Sequence, residues 1–115
     1  MLVSSDYPYL QIKVVVRNLF LTFRALLDTG FDGHLVLPVS CFDQLGEPDF
    51  RAGAMLADGI SRITPQYWGG IEIVGLNVNY MGRIILLGDE CLMGQGIIRR
   101  VKITFDHGKE VIVEP

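Results

Sequence analysis

From Leu10 to Arg17 the chain alternates: Leu10, Ile12, Val14 and Val16 fall on one side of an extended backbone, with Gln11, Lys13 and Arg17 on the other. A period of two does not suit a helix and commits the segment to a half-buried strand. A second strand, 20–27, follows a turn near Asn18, so the two read as a hairpin. Further on, 54–68 places Asp58-Gly59 between two strand-like arms, a strong short-range hairpin signal. The stretches 71–81 and 83–87 read as further strands, and 101–115 as a last hairpin turning at Asp106-His107-Gly108. Gly69-Gly70 reads as a bulge or bend, and 88–100 breaks the β pattern with glycines. Helical signals are sparse. The best is 38–46, with Pro38 near its start and Gly46 where a terminating glycine would stand. Many short strands with regular turns and one short helix predict an all-β fold, a small closed or nearly closed barrel. At 115 residues, 50% of them hydrophobic, the chain reads as a single domain over 1–115 with a core that needs no staples.

Charge and cysteine usage narrow the function classes. Ten basic and thirteen acidic residues give a net charge of −3, which offers no footprint for a phosphate backbone, so no nucleic-acid partner is expected. No apolar run approaches the length that spans a bilayer and the N-terminal segment lacks signal-peptide order, so no membrane partner is expected and the location is read as cytoplasmic. Cys41 and Cys91 stand far apart with no metal-ligand spacing, and they read as buried thiols. No metal or other cofactor is expected.

One segment combines a strand-fixed position with a side chain capable of acid–base chemistry: Leu26-Leu27-Asp28-Thr29-Gly30. Apolar residues hold Asp28 at the end of a buried strand, Thr29 can hydrogen-bond locally or across an interface, and Gly30 lets other backbone approach without a Cβ. Taken alone, Asp-Thr-Gly more often merely makes a turn.

The longer run A-L-L-D-T-G-F-D-G-H-L-V-L-P, residues 25–38, resembles the active-site strand and loop of retropepsin-like aspartic proteases. Two more pieces agree with that family in order and spacing over roughly residues 9–113. Asp58-Gly59 stands where the family carries the flap that closes over substrate. Leu92, Met93 and Gly94, followed by Ile97 and Ile98, resemble the apolar-apolar-Gly element and short helix that thread behind the catalytic loop. The resemblance implies a homodimeric retropepsin-type barrel in which Asp28 is catalytic and Thr29 and Gly30 support its loop. It departs from the common pattern at Phe31, where Ala or Ser is usual, and Phe31-Asp32-Gly33 is similar to a prokaryotic variant. The flap tip, Ala57-Asp58-Gly59-Ile60, also lacks the glycine-rich composition of viral flaps.

Hydrolysis of this kind requires two carboxylates that share a proton at close range. One chain supplies one D-T-G, so a second copy is expected to supply the other. The substrate class this implies is a peptide or unfolded protein. The alternative is a weakly active or inactive member of the fold, kept as a dimerisation or peptide-binding module. Remaining polar and aromatic residues receive structural readings. His34 and His107 are read as exposed strand-end and turn positions. Tyr67, Trp68 and Tyr80 are read as core or cross-strand packing, and Asp32 as a solvated turn residue. Asp106, Glu110 and Glu114 are read as charges that keep an edge strand soluble.

Overall fold

The computed structural model describes residues 1–55 and 59–115. Strands β2 (Tyr9–Val16) and β3 (Leu19–Leu27) form the first hairpin, with Arg17 at φ 54° in its two-residue turn. Leu10, Ile12, Val14 and Val16 are all buried, as the alternation requires. Before them lies a short strand β1 (Leu2–Ser4), which the sequence reading did not anticipate. After them come β4 (Leu35–Leu37), a single 3-10 turn (Val39–Cys41) and α1 (Phe42–Leu45), closed by Gly46 at φ 74°. The chain continues as β5 (Phe50–Met55), β6 (Ser61–Ile73), β7 (Val78–Leu86), β8 (Leu92–Met93), α2 (Gln95–Ile98), β9 (Lys102–Asp106) and β10 (Glu110–Glu114).

The main sheet closes on itself. Its order is β2-β3-β8-β4-β7-β6-β5, and the second half of the long β6 returns to β2 through Val14↔Ile71 and Val15↔Gly70. The first half of β6 pairs with β5, from Phe50↔Gln66 to Met55↔Ser61, so these two strands form an arm that projects beyond the ring. The all-β barrel is therefore the architecture found, with its core drawn from the inward residues of β2, β4, β6 and β7 and from Tyr67, Met93 and Ile97. A separate three-stranded sheet, β1-β10-β9, joins the two ends of the described chain and packs Val111 and Val113 into the same core. Both cysteines are free and buried. Among the described residues, no helix is long and apolar enough to cross a membrane.

Four details correct the sequence reading. The stretch 71–81 is not one strand: β6 ends at Ile73, the chain reverses over 74–77, and β7 begins at Val78. Val74 and Leu76 disguise that turn as strand, while Gly75 at φ 94° and Asn77 at φ 56° make it possible. Gly69-Gly70 forms no bulge, because β6 stays in register with β7 through Gly69↔Gly82 and Gly70↔Met81. Gly69 answers to a close approach instead: a Cβ there would lie 2.7 Å from both the Val15 carbonyl oxygen and Ile84 Cδ1. In the last sheet the edge strands are β1 and β9: Asp106 lies on β9, whereas Glu110 and Glu114 lie on β10, which is paired on both sides. His34 is half-buried rather than exposed, its ring packed where a Cβ on Gly82 or Gly96 would come within 3 Å of it.

Candidate active site

Asp28 is the first residue beyond β3, and its position is set by what lies on either side of that strand. Ala25 and Leu27 are buried in the core, which fixes the end of the strand. β8 runs parallel to β3 (Leu26↔Leu92, Leu27↔Met93) and antiparallel to β4 (Leu35↔Met93, Val36↔Leu92), so these two residues fill the gap between the strand entering the loop and the strand leaving it. The ladder continues one step further, where the Asp28 N–H donates to the Met93 carbonyl at 2.9 Å. Leu92, Met93 and Gly94 thus stand directly behind the loop.

Within the loop, the Gly30 N–H donates to Asp28 Oδ1 at 3.0 Å and the Phe31 N–H to the Asp28 carbonyl at 3.3 Å. One carboxylate oxygen is therefore oriented by backbone, while Asp28 as a whole is only half-buried. Thr29 and Gly30 are exposed. The start of α2 supplies further restraints. Gln95 Nε2 donates to the Thr29 carbonyl at 3.0 Å, the Gln95 N–H to the Phe31 carbonyl at 2.7 Å, and the Gly96 N–H to the Gly33 carbonyl at 2.9 Å. The Gly94 N–H donates to the His34 carbonyl at 3.0 Å. Sequence reasoning passed over Gln95, although it directly follows the apolar-apolar-Gly element and could have been suspected on that ground.

Glycine is demanded behind the loop by contact. A Cβ on Gly94 would stand 2.4 Å from the Gly33 carbonyl oxygen, 2.5 Å from Phe31 Cδ2 and 2.6 Å from the Phe31 carbonyl oxygen. Phe31 is half-buried in this crevice, whereas Asp32 is exposed. His34 Nδ1 faces the Arg83 N–H at 3.4 Å, and burial, with Arg100 and Arg83 nearby, holds its imidazole below the usual histidine range. Burial likewise pushes the Cys91 thiol up to about 12, which keeps it protonated and poorly nucleophilic.

The remaining residues singled out from sequence divide. Gly59, at φ 76°, lies in the connection between β5 and β6, and Asp58 lies outside the described residues. Trp68 is 51% exposed, tilted against Phe50 and beside the guanidinium of its cross-strand partner Arg83. Tyr67 is a core residue whose hydroxyl donates to the Gly46 carbonyl. His107 occupies the β9–β10 turn at φ 53° beside Asp106.

A carboxylate presented this way, rigid in its backbone and open on one side, is suited to activating water or polarising a carbonyl. No family model matches the chain, and no curated protein sequence matches it. Among solved structures it is similar to a retropepsin-like aspartic protease from Rickettsia conorii, with 18% identity, 97% of this chain and 88% of that chain covered, and a TM-score of 0.64. The likeness is one of fold.

Proposed function

We propose that residues 1–115 are one aspartic endopeptidase domain that works as a homodimer, with Asp28 of each copy forming the catalytic pair. The observation that carries this reading is the Asp28 loop itself, tied to Met93, oriented by the Gly30 N–H and set in a retropepsin-like fold. Two such carboxylates at close range hold one proton between them, because both cannot readily ionise. The ionised one takes a proton from water as the oxygen attacks the peptide carbonyl carbon. The protonated one gives its proton to the carbonyl oxygen. Collapse of the tetrahedral diol then breaks the C–N bond: the leaving nitrogen takes the proton of one carboxyl while a diol hydroxyl gives its proton to the other carboxylate, which restores the singly protonated pair.

The other residues of the site follow from this arrangement. Thr29 and Gly30 face the second copy and hold the two loops together, and Leu92, Met93 and Gly94 back each loop. The β5–β6 arm, with Gly59 in its connection, covers a peptide or unfolded segment bound in extended form. The Phe31-Asp32-Gly33 continuation supports reading the chain as the prokaryotic variant of the family.

The test is Asp28→Asn, which keeps the shape of the side chain and removes its titratable group. Hydrolysis of an unfolded protein is expected to disappear while circular dichroism and sedimentation stay as in the wild type. A folded Asp28→Asn chain with undiminished turnover overturns the assignment.

A further inference from the structure

The three residues of β4 are all buried, yet they do not share a face. Leu35 and Leu37 belong to the barrel core, whereas Val36, between them, belongs to a second and smaller cluster with Ile85 and Leu87. A strand residue pointing away from the core is ordinarily wetted. Val36 is only 1% exposed, and Phe31, Leu92 and Ala54 pack against the cluster it forms with Ile85 and Leu87. All three come from the elements that define the candidate site: Phe31 from the loop after Asp28, Leu92 from β8 behind that loop, and Ala54 from the β5–β6 arm.

The ring of Phe31 is seated in a slot made by glycines. Its Cζ lies 2.4 Å from where a Cβ on Gly33 would stand, and its Cδ2 lies 2.5 Å from the corresponding point on Gly94. Its backbone is held at both ends, the N–H on the Asp28 carbonyl and the carbonyl on the Gln95 N–H. The ring is thus fixed in place, packed against the same small cluster that Ala54 of the arm touches.

We infer that Phe31 is the specificity-determining residue of this site: it fills the apolar recess beside Asp28, so that the substrate side chain meeting its ring must be small, from glycine to valine in size. The inference rests on the reading of the Asp28 cleft as a peptide site. Forcing extra methylenes against a packed wall is unfavourable, and one methylene in an apolar pocket changes selectivity by about 10- to 200-fold. Truncating Phe31 uncovers Val36, Ile85 and Leu92 as the floor of a pocket suited to a leucine or phenylalanine side chain.

The experiment compares wild type, Phe31→Leu and Phe31→Ala on one mixture of unfolded peptides, reading the residues that flank each cut by mass spectrometry. The same mixture is passed over immobilised Asp28→Asn chains with and without each Phe31 substitution, and the retained peptides are sequenced. At one position the wild type is expected to select small residues. Phe31→Ala is expected to shift that position toward Leu, Met and Phe by at least about tenfold, with Phe31→Leu between the two. Thermal melts verify folding, and Phe31→Leu, which keeps most of the apolar packing, carries the test if Phe31→Ala does not fold. An unchanged size preference in a folded variant overturns the inference even where wild type cuts. If wild type cuts nothing while the Asp28→Asn chains retain peptides with the size shift, the protease reading fails and the role of Phe31 stands. If no chain cuts or retains any peptide, both fall.

Discussion

Gly94→Ala is the substitution whose effect the structure constrains most tightly. The added methyl would stand 2.4 Å from the Gly33 carbonyl oxygen and 2.6 Å from the Phe31 carbonyl oxygen, and both are backbone atoms that cannot rotate away. Either β8 or the Asp28 loop must move. Overpacking of this kind costs about 1–3 kcal/mol. The bonds from the Gly94 N–H to His34 and from the Gln95 N–H to Phe31 span the same gap, and weakening them adds on the order of 1 kcal/mol. Against this, Gly→Ala restricts the unfolded chain and recovers about 0.4–1 kcal/mol. The net loss is roughly 2–3 kcal/mol, a large share of the 5–15 typical of such a domain. At this chain length it corresponds to a fall in melting temperature of about 10 °C. Gly53→Ala in β5 is the internal control: its methyl would meet only Ser61 Oγ at 3.6 Å, so it should be neutral or stabilising by up to about 1 kcal/mol. Thermal and urea unfolding followed by circular dichroism reads both variants. A Gly94→Ala chain that melts within about 2 °C of wild type with an unchanged urea slope refutes the contact argument.

Two further outcomes are expected. His34 is held below its ordinary value by burial, with Arg100 and Arg83 adding to the effect, so the unfolded chain takes up a proton first as the pH falls. The stability it contributes is full above about pH 6.5 and is lost as the pH drops through the folded value; melting temperature should therefore fall less steeply from pH 7 to pH 5 in His34→Gln than in wild type, and equal slopes refute this. If the active site is shared between two copies, hydrolysis per chain should drop when the protein is diluted below its dimer dissociation constant. Activity per chain that stays constant from micromolar to low nanomolar, with a monomer mass throughout, overturns the shared site.

What the sequence made legible was local. The alternation over 10–17 is a property of neighbours, and Leu10, Ile12, Val14 and Val16 are buried as it requires. The turn at Asp106-His107-Gly108 announces itself in the same way, with His107 and Gly108 both at positive φ. Features set by distant partners stayed hidden. β1 exists because residues 2–4 find 111–113, and β8, two residues long, exists because it fits between β3 and β4. The burial of His34 depends on Gly82 and Gly96, neither near it in the chain. The turn over 74–77 was masked by its own apolar residues, since hydrophobicity alone cannot tell a reversal from a strand that continues. For the site, Asp28, Thr29 and Gly30 were legible as a motif. The tie from Gln95 to Thr29 and the slot that seats Phe31 required the fold.

The glycines around Asp28 divide by what demands them. Gly33, Gly94 and Gly96 are each pressed by atoms of their own chain, within 3.0 Å of where a Cβ would stand. Together with the bonds that tie the loop to Met93, Gln95 and Gly96 they make it rigid, which in the proposed enzyme would hold the Asp28 carboxylate in one geometry without reorganisation. Gly30 differs. A Cβ there would meet only Asp28 Oδ1, at an ordinary 3.4 Å, and its backbone φ lies outside the left-handed region. Its own chain therefore gives little reason for glycine at this exposed point of the loop. In the proposed homodimer that reason comes from outside, because two Asp28 carboxylates can share a proton only if the two loops approach back to back, and a side chain at Gly30 would stand in the space between them.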